Sequence, residues 1–346
     1  MVRGMTDRRT VVPFRRRSIA WLAAVLGLLL SATEAPAGQY RLSVKGEQIL
    51  LNGQPVKVIG LRCSNALMTE QTTTQLIDQL DEFKSYGVNT VSVFFMGSRF
   101  GDVKGYRPDA SLDRAHAGRM GRIIEAADQR GMIVLVGCLY WSTSRAKEEL
   151  GHWTQAEADR AVANTVRWLK EKDYRNVFVD VDNEGMAHDA KGWSIAGMID
   201  AAHAVDPTIM VAYNDSDPPP ANADLLIHHS PRTPGRPWVQ SEGTPNNAPG
   251  GYWGTYSKRQ GLYNYINIGL YTQAMKEDQI RQTGRDLTKH SGHVLASTWL
   301  QCVPPHGPNQ SPGGDGSDDD PGIRWWLEHV KATHGGAWRP PRSAVD

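Results

Sequence analysis

Cysteine, net charge and long apolar runs are all scarce in this sequence. The three cysteines among 346 residues, Cys63, Cys138 and Cys302, are too few for a disulfide scaffold and lack metal-ligand spacing. An odd number leaves at least one thiol outside any intrachain pair, and small buried apolar residues are the first reading for most of them. If a pair forms, Cys63 and Cys302 are the candidates, on the first and last strands of the pattern described below. With 38 Lys and Arg against 37 Asp and Glu, the net charge of +1 excludes a nucleic-acid footprint and a polybasic membrane patch. Beyond the N-terminal run, no segment is long and apolar enough to span a bilayer. No repeat of solenoid length is visible.

Basic residues collect at one place. Arg15, Arg16 and Arg17 precede an apolar run from Ile19 to Leu30, followed by Ala35-Pro36-Ala37. A basic stretch, a short apolar core and an A-x-A site describe a secretory signal peptide. The run is short for a membrane span, and no cysteine stands at the cleavage point for lipid attachment. Residues 1–37 are therefore read as a signal peptide, and 38–346 as one mature domain, secreted or periplasmic and without membrane attachment after cleavage. An uncleaved anchor is the alternative.

The mature chain alternates. After an opening hairpin across residues 40–58, strand-like runs fall at 56–64, 89–96, 132–140, 177–184, 209–214, 224–229, 238–242 and 293–302. Helical spacing separates most of them, at 70–86, 112–130, 155–172, 191–205, 258–283 and finally 323–334. Strands alternating with helices argue for parallel βαβ units, and eight such strands close a barrel. The fold class is α/β, a (β/α)8 TIM barrel with a short N-terminal β-hairpin. An open doubly wound sheet is the competing architecture, and the Gly-rich phosphate turn expected after its first strand is missing. Long Pro-, Gly- and Asn-rich loops at 230–237, 244–256 and 303–321 suit a binding cleft on the face the strands point to. The Asp-rich segment 313–320 reads as a solvated stretch; it lacks EF-hand spacing for calcium.

Two of the strand runs end on glutamate. Val177-Phe178-Val179-Asp180-Val181-Asp182-Asn183 leads into Glu184, and Trp238-Val239-Gln240-Ser241 leads into Glu242. Barrel enzymes carry their chemistry at the C-terminal ends of strands. Hydrolysis of a glycosidic bond needs an acid for the leaving oxygen and a second carboxylate on the opposite side of the sugar, and two strand-end glutamates meet that need. The competing reading for each is an ion pair at the barrel rim.

These features resemble the glycoside hydrolases of clan A, most nearly family 5, across nearly the whole mature chain. The resemblance rests on Leu51-Asn52-Gly53-Gln54-Pro55-Val56, on the Asn183-Glu184 pair ending the fourth barrel strand, on Glu242 ending the seventh and on Trp299 at the end of the eighth. It implies a retaining enzyme without a cofactor, acting on a β-linked glycan or oligosaccharide through a covalent glycosyl-enzyme. Glu184 would be the acid/base, Glu242 the nucleophile, Asn183 a ligand of the sugar 2-hydroxyl and Trp299 a stacking platform. A retaining pair stands about 5–5.5 Å apart, with the acid protonated and the nucleophile ionised.

Departures from the family pattern stand beside these matches. The usual arginine near the end of strand two is missing, and Arg62 on strand one is a candidate to support Glu242; Arg99 lies only in the loop beyond strand two. Tyr140 and Trp141 occupy the region where a histidine is usual after strand three. His228 and His229 follow strand six without a tyrosine, and His229 is the expected cleft contact. Period-two alternation puts Asp180 and Asp182 on the face of Glu184, inside the barrel, where Arg62 or Lys57 would be their partners. Trp141, Trp193, Trp253 and Trp299 fall near strand ends as candidate sugar platforms. Two rival functions remain open: a non-catalytic carbohydrate-binding barrel, kept alive by the missing arginine, and a metal-dependent barrel hydrolase using His228, His229 and Asp215. No H-x-H on the first strand and no H-E-x-x-H supports the metal reading, and no metal ligand is assigned.

Overall fold

A computed structural model describes Met1 and residues 38–97, 103–141, 146–244, 271–297, 299–301 and 314–341. The expected signal peptide, Arg99, Trp253 and Cys302 lie outside the described residues.

The chain opens with three antiparallel strands, β1 (Leu42–Lys45), β2 (Gln48–Leu51) and β3 (Gln54–Val56), rather than a two-stranded hairpin. The expected run at 56–64 is divided: β3 still pairs with β2, and after Lys57 the chain turns into the barrel as β4 (Val58–Arg62). Seven more parallel strands follow: β5 (Thr90–Phe94), β6 (Ile133–Leu139), β7 (Val177–Asp182), β8 (Met210–Tyr213), β9 (Leu225–Ile227), β10 (Trp238–Gly243) and β11 (Gly292–Leu295). The eight close into a ring, β11 pairing β4 through Gly292↔Val58 to Leu295↔Leu61. The architecture is the (β/α)8 barrel.

The strands read as continuous apolar runs because both faces are covered, inward by the barrel interior and outward by helices. All seven residues of β6, Ile-Val-Leu-Val-Gly-Cys-Leu, are buried. Helices α1 (Glu70–Ser85) and α2 (Arg114–Asp128) follow β4 and β5. A one-turn helix, α3 (Ala146–Glu149), and α4 (Gln155–Glu171) follow β6. Thr69 begins α1 and Thr154 begins α4, each in a capping box that satisfies orphan amides of the first turn. Leu76, Leu80 and Phe83 form the buried stripe of α1.

The helix expected across 191–205 is two helices, α5 (Met186–Lys191) and α6 (Ile195–Val205). Gly192 stops the first in a left-handed conformation and the Ser194 side chain caps the second. Residues 258–270 of the helix expected at 258–283 lie outside the described residues; its later part falls in α7 (Gln273–Lys289), capped by Thr272, and α8 (Arg324–Thr333) closes the outer ring. At the N-terminal end of the barrel, the Trp338 indole donates to the Gly131 carbonyl at 2.8 Å, and Tyr40 and Pro340 both abut Gly131. Cys63 and Cys138 are buried thiols that form no disulfide among the described residues. Burial raises both, Cys138 to about 12, which leaves them unreactive.

Candidate active site

The fourth barrel strand, β7, delivers Glu184 through a tight turn. Glu184 (φ 55°, ψ 24°) and Gly185 (φ 63°) are both left-handed, a conformation costly for a side-chain-bearing residue and often found at functional positions. A Cβ on Gly185 would lie 2.6 Å from the Asp215 carboxyl carbon, so no larger residue fits there. Asp182 fixes the turn by accepting from the amides of Ala187 (2.9 and 3.1 Å) and His188 (2.9 Å) at the start of α5. Asp180 accepts from the Asn214 side chain at 3.0 Å.

Both aspartates are wholly buried in the barrel, as their alternation with Glu184 implies. Their direct partners are not the cations expected. Lys57 lies at the opposite end of the strands, where it donates to the His290 carbonyl, and Arg62 reaches Asp180 only through space. Burial raises Asp180 to about 7 and Asp182 to about 8.

Glu242 stands on β10, 6% exposed. Beneath it lies Arg62 from the end of β4, with no exposed surface. Its Nη2 is 3.2 Å from Glu242 Oε2 and donates to Asn183 Oδ1 at 2.6 Å, while Nη1 donates to the Ser241 carbonyl at 3.2 Å. The guanidinium also rests 4.9 Å from the Phe94 ring centroid and 5.6 Å from that of Tyr140. Gly137, next to Phe94 in the sheet, makes room for that ring: a Cβ there would come within 1.9 Å of it. Burial works against the charge of Arg62, but Glu242, Tyr140, Glu184 and Asp180 around it hold its pKa above the ordinary arginine value.

The sixth strand, β9, brings two histidines. His228 has φ 48°, and this departure from extended geometry lets consecutive imidazoles face the same mouth, their ring centroids 4.0 Å apart. His229 Nε2 lies 3.4 Å from Glu184 Oε2, and His228 Nε2 lies 4.0 Å from Glu184 Oε1. His228 Nδ1 donates to Gln240 Oε1 at 2.7 Å, and the same oxygen accepts from the Glu242 amide at 3.1 Å. Burial lowers His228 to about 4, so its imidazole is neutral near pH 7. The hydrogen bond to Glu184 raises His229.

Glu184 and Glu242 therefore meet, Glu184 accepting a hydrogen bond from Glu242. Glu184 does not show the raised pKa expected of an acid. Burial works to raise it, but the hydrogen bond from His229, the His228 ring, the hydrogen bond from Glu242 and the Arg62 charge together hold it below the ordinary glutamate range. Asn183 Nδ2 adds a donor to Glu184 Oε1 at 3.3 Å. Asn183 itself is wholly buried, its amide held between Arg62 and Glu184.

Tyr140 reaches this centre, but three expected sugar platforms, Trp299, Trp141 and Trp193, are buried against aromatic neighbours. Trp299 is 7% exposed and meets Phe83 of α1 edge-on, centroids 5.7 Å apart, so it packs as a core residue. Trp141, also 7% exposed, packs against Trp193 at 4.9 Å and Trp153 at 6.5 Å, its surface taken up by aromatic neighbours. Gln240 belongs to the site and was not among the residues expected to build it, and His228 was expected there only as a ligand in the metal-dependent reading. Period-two spacing places Gln240 on the face of Glu242 and is the signal that could have found it. One donor atom each from Glu184, His228 and His229 lie within 4.8 Å of one another, a two-histidine, one-carboxylate set able to hold a divalent ion.

A closed parallel barrel carrying two glutamates and a buried arginine at the C-terminal mouth defines the architectural class. Among solved structures, the chain is similar to a glycoside hydrolase family 5 protein from Bacteroides vulgatus (TM-score 0.56, 16% identity, 84% of this chain and 68% of that one). It is similar to the β-mannanase of the blue mussel Mytilus edulis (TM-score 0.51, 15% identity, 88% of this chain and 100% of that one). It is also similar to the endo-1,4-β-mannanase of Eisenia fetida (TM-score 0.51, 14% identity, 86% of this chain and 96% of that one). At such identities the likeness is one of fold, that of glycoside hydrolase family 5. No protein-family model and no curated protein sequence matches the chain.

Proposed function

We propose that the chain is an exported retaining glycoside hydrolase acting on a β-linked glycan, with Glu184 as acid/base and Glu242 as nucleophile. The observation that carries this reading is the meeting of the two glutamates over Arg62, at the end of the barrel where such folds hold their chemistry. A sugar seated between them parts the carboxyl pair. Arg62 then takes Glu242 as its ionised partner, and the proton the pair had shared passes to Glu184, which delivers it to the leaving oxygen. Attack by Glu242 forms the glycosyl-enzyme. Glu184, now a carboxylate, deprotonates the incoming water. His229 and His228 line the Glu184 side and stabilise that carboxylate.

The missing strand-two arginine kept a binding-only barrel open; Arg62 beside Glu242 supports the catalytic reading instead. The mannanase neighbours make β-mannans the first substrates to try. A screen of polysaccharides and aryl β-glycosides, with the anomer of the first product followed by proton NMR, tests the reading. Turnover with retained configuration, lost in Glu242→Ala, supports it; binding without turnover across the panel, or net inversion, overturns it. The Glu184, His228 and His229 donor set favours a second reading, a metal-dependent hydrolase. That reading expects His228→Ala to abolish turnover and Glu242→Ala to spare it. Export is tested separately: the N-terminal residue of protein recovered outside the cytoplasm should be near Gly38.

A further inference from the structure

We propose that His188, Asp215 and Asp217 form a binding site for one divalent transition-metal ion, zinc being the ion their donors suit, beside the turn that carries Glu184. One ring nitrogen of His188 and one carboxylate oxygen from each aspartate lie within 4.8 Å of one another. His188 sits on α5, and its Nδ1 donates to the Trp193 carbonyl at 2.7 Å. That bond fixes the tautomer and leaves the Nε2 lone pair facing Asp217 Oδ2 at 4.0 Å, the second-sphere arrangement that metal-binding imidazoles adopt.

Asp215 supplies the independent sign of a ligand. Its residue is only 6% exposed, two positions past the end of β8. Its Oδ1 takes two long contacts, from Ser216 Oγ and the Asp217 amide, both at 3.4 Å, and its Oδ2 has no hydrogen-bond partner among the described residues. Among the described residues neither aspartate pairs with a lysine or arginine, and His188 is the basic group within ion-pair distance of Asp217. A buried carboxylate oxygen without a donor is costly, and a cation answers it.

Zinc takes nitrogen and carboxylate oxygen at about 2.0–2.2 Å, which puts tetrahedral donors roughly 3.4 Å apart. Reaching that spacing needs a closure on the order of 1 Å, and the Asp217 side chain, 70% exposed, is free to swing. Water would complete the coordination. Such an ion would tie α5 to the segment after β8 across Gly185, where a Cβ would lie 2.6 Å from the Asp215 carboxyl carbon. It would thereby brace the strained turn that holds Glu184. Binding itself does not depend on the glycosidase reading, so failure of one leaves the other standing.

The test uses the full chain, stripped with chelator and dialysed, then titrated with zinc chloride by calorimetry and followed by thermal unfolding; magnesium and calcium serve as hard-ion controls. The expected result is one equivalent of zinc whose binding depends on His188, a melting temperature raised by several degrees, and little response to magnesium. Affinity should fall at least tenfold in His188→Ala and in Asp217→Asn; the latter changes an exposed side chain and keeps the test decisive if an Asp215 variant fails to fold. His229→Asn should lower the zinc affinity far less than His188→Ala does, separating this site from the histidines at Glu184. Cobalt should give visible absorption bands that His188→Ala removes. No zinc binding by the unaltered chain, or a zinc stoichiometry and affinity that neither His188→Ala nor Asp217→Asn changes, overturns the proposal.

Discussion

The two glutamates reach the same barrel mouth by opposite means. Glu242 continues its strand, β10, and is held by one buried cation; Glu184 leaves its strand on a left-handed turn and is held by two histidines and an asparagine. One side relies on charge in a low-dielectric interior, the other on backbone conformation and hydrogen bonds. The difference matches a division of labour in which a nucleophile keeps one protonation state through attack and an acid/base must change its own twice.

The largest effect tests whether the sides are chemically distinct. Glu242→Ala should lower kcat on the order of 10⁴-fold or more for every substrate. Glu184→Ala should lose about 10²–10⁴-fold on poor leaving groups and much less on activated aryl glycosides, which leave without a proton. Steady-state kinetics across leaving groups check both, and equal losses on all substrates would erase the distinction.

Next comes Arg62→Met. Removing one partner of a buried pair typically costs about 3–5 kcal/mol, and a urea titration should find a loss of that size. A loss under about 1 kcal/mol would place Arg62 with the surface pairs. On the Glu184 side the comparable break is Gly185→Ala, which forces a Cβ into the Asp215 carboxylate at positive φ. We expect about 1–3 kcal/mol of destabilisation by the same titration, with kcat reduced more than KM is raised, because the turn aims Glu184.

The smallest effect is His229→Asn, because His229 is half exposed; a cost of about 1 kcal/mol or less is expected. Its pH dependence has a definite sign. His229 is raised in the folded chain, so its pairing stabilises fully below the unfolded histidine pKa of about 6.5 and fades as pH rises through the folded value. Glu184 is lowered, so its share is present above about 4.3 and fades as pH falls through the folded value. The variant should therefore lose most melting temperature between about pH 4.3 and 6.5 and less above. A deficit that grows toward pH 9 would reverse the assignment.

Much of the barrel was legible in the sequence, because strands buried on both faces leave unbroken apolar runs such as 132–140. Glu184 and Glu242 were legible for the related reason that each ends such a run. What escaped depends on single dihedral angles and on packing. Alternation assigns His228 and His229 to opposite faces, and only the positive φ of His228 brings both rings to Glu184. A tryptophan after the last strand reads the same whether it faces a cleft or, as Trp299 does, packs on α1. The Glu184 environment was misjudged because two residues just past β9 and one from β4 converge on it, a three-dimensional fact with no local signature.

Tyr40 and Pro340, separated by almost the whole barrel in sequence, share the flank of Gly131 at the floor opposite the glutamates. The polypeptide is thus nearly a loop. A short linker joining those positions, with new termini opened in a surface turn, should yield a rearranged chain that still folds. Fusion partners attached at either position would hang from the base, leaving passage into the mouth unobstructed.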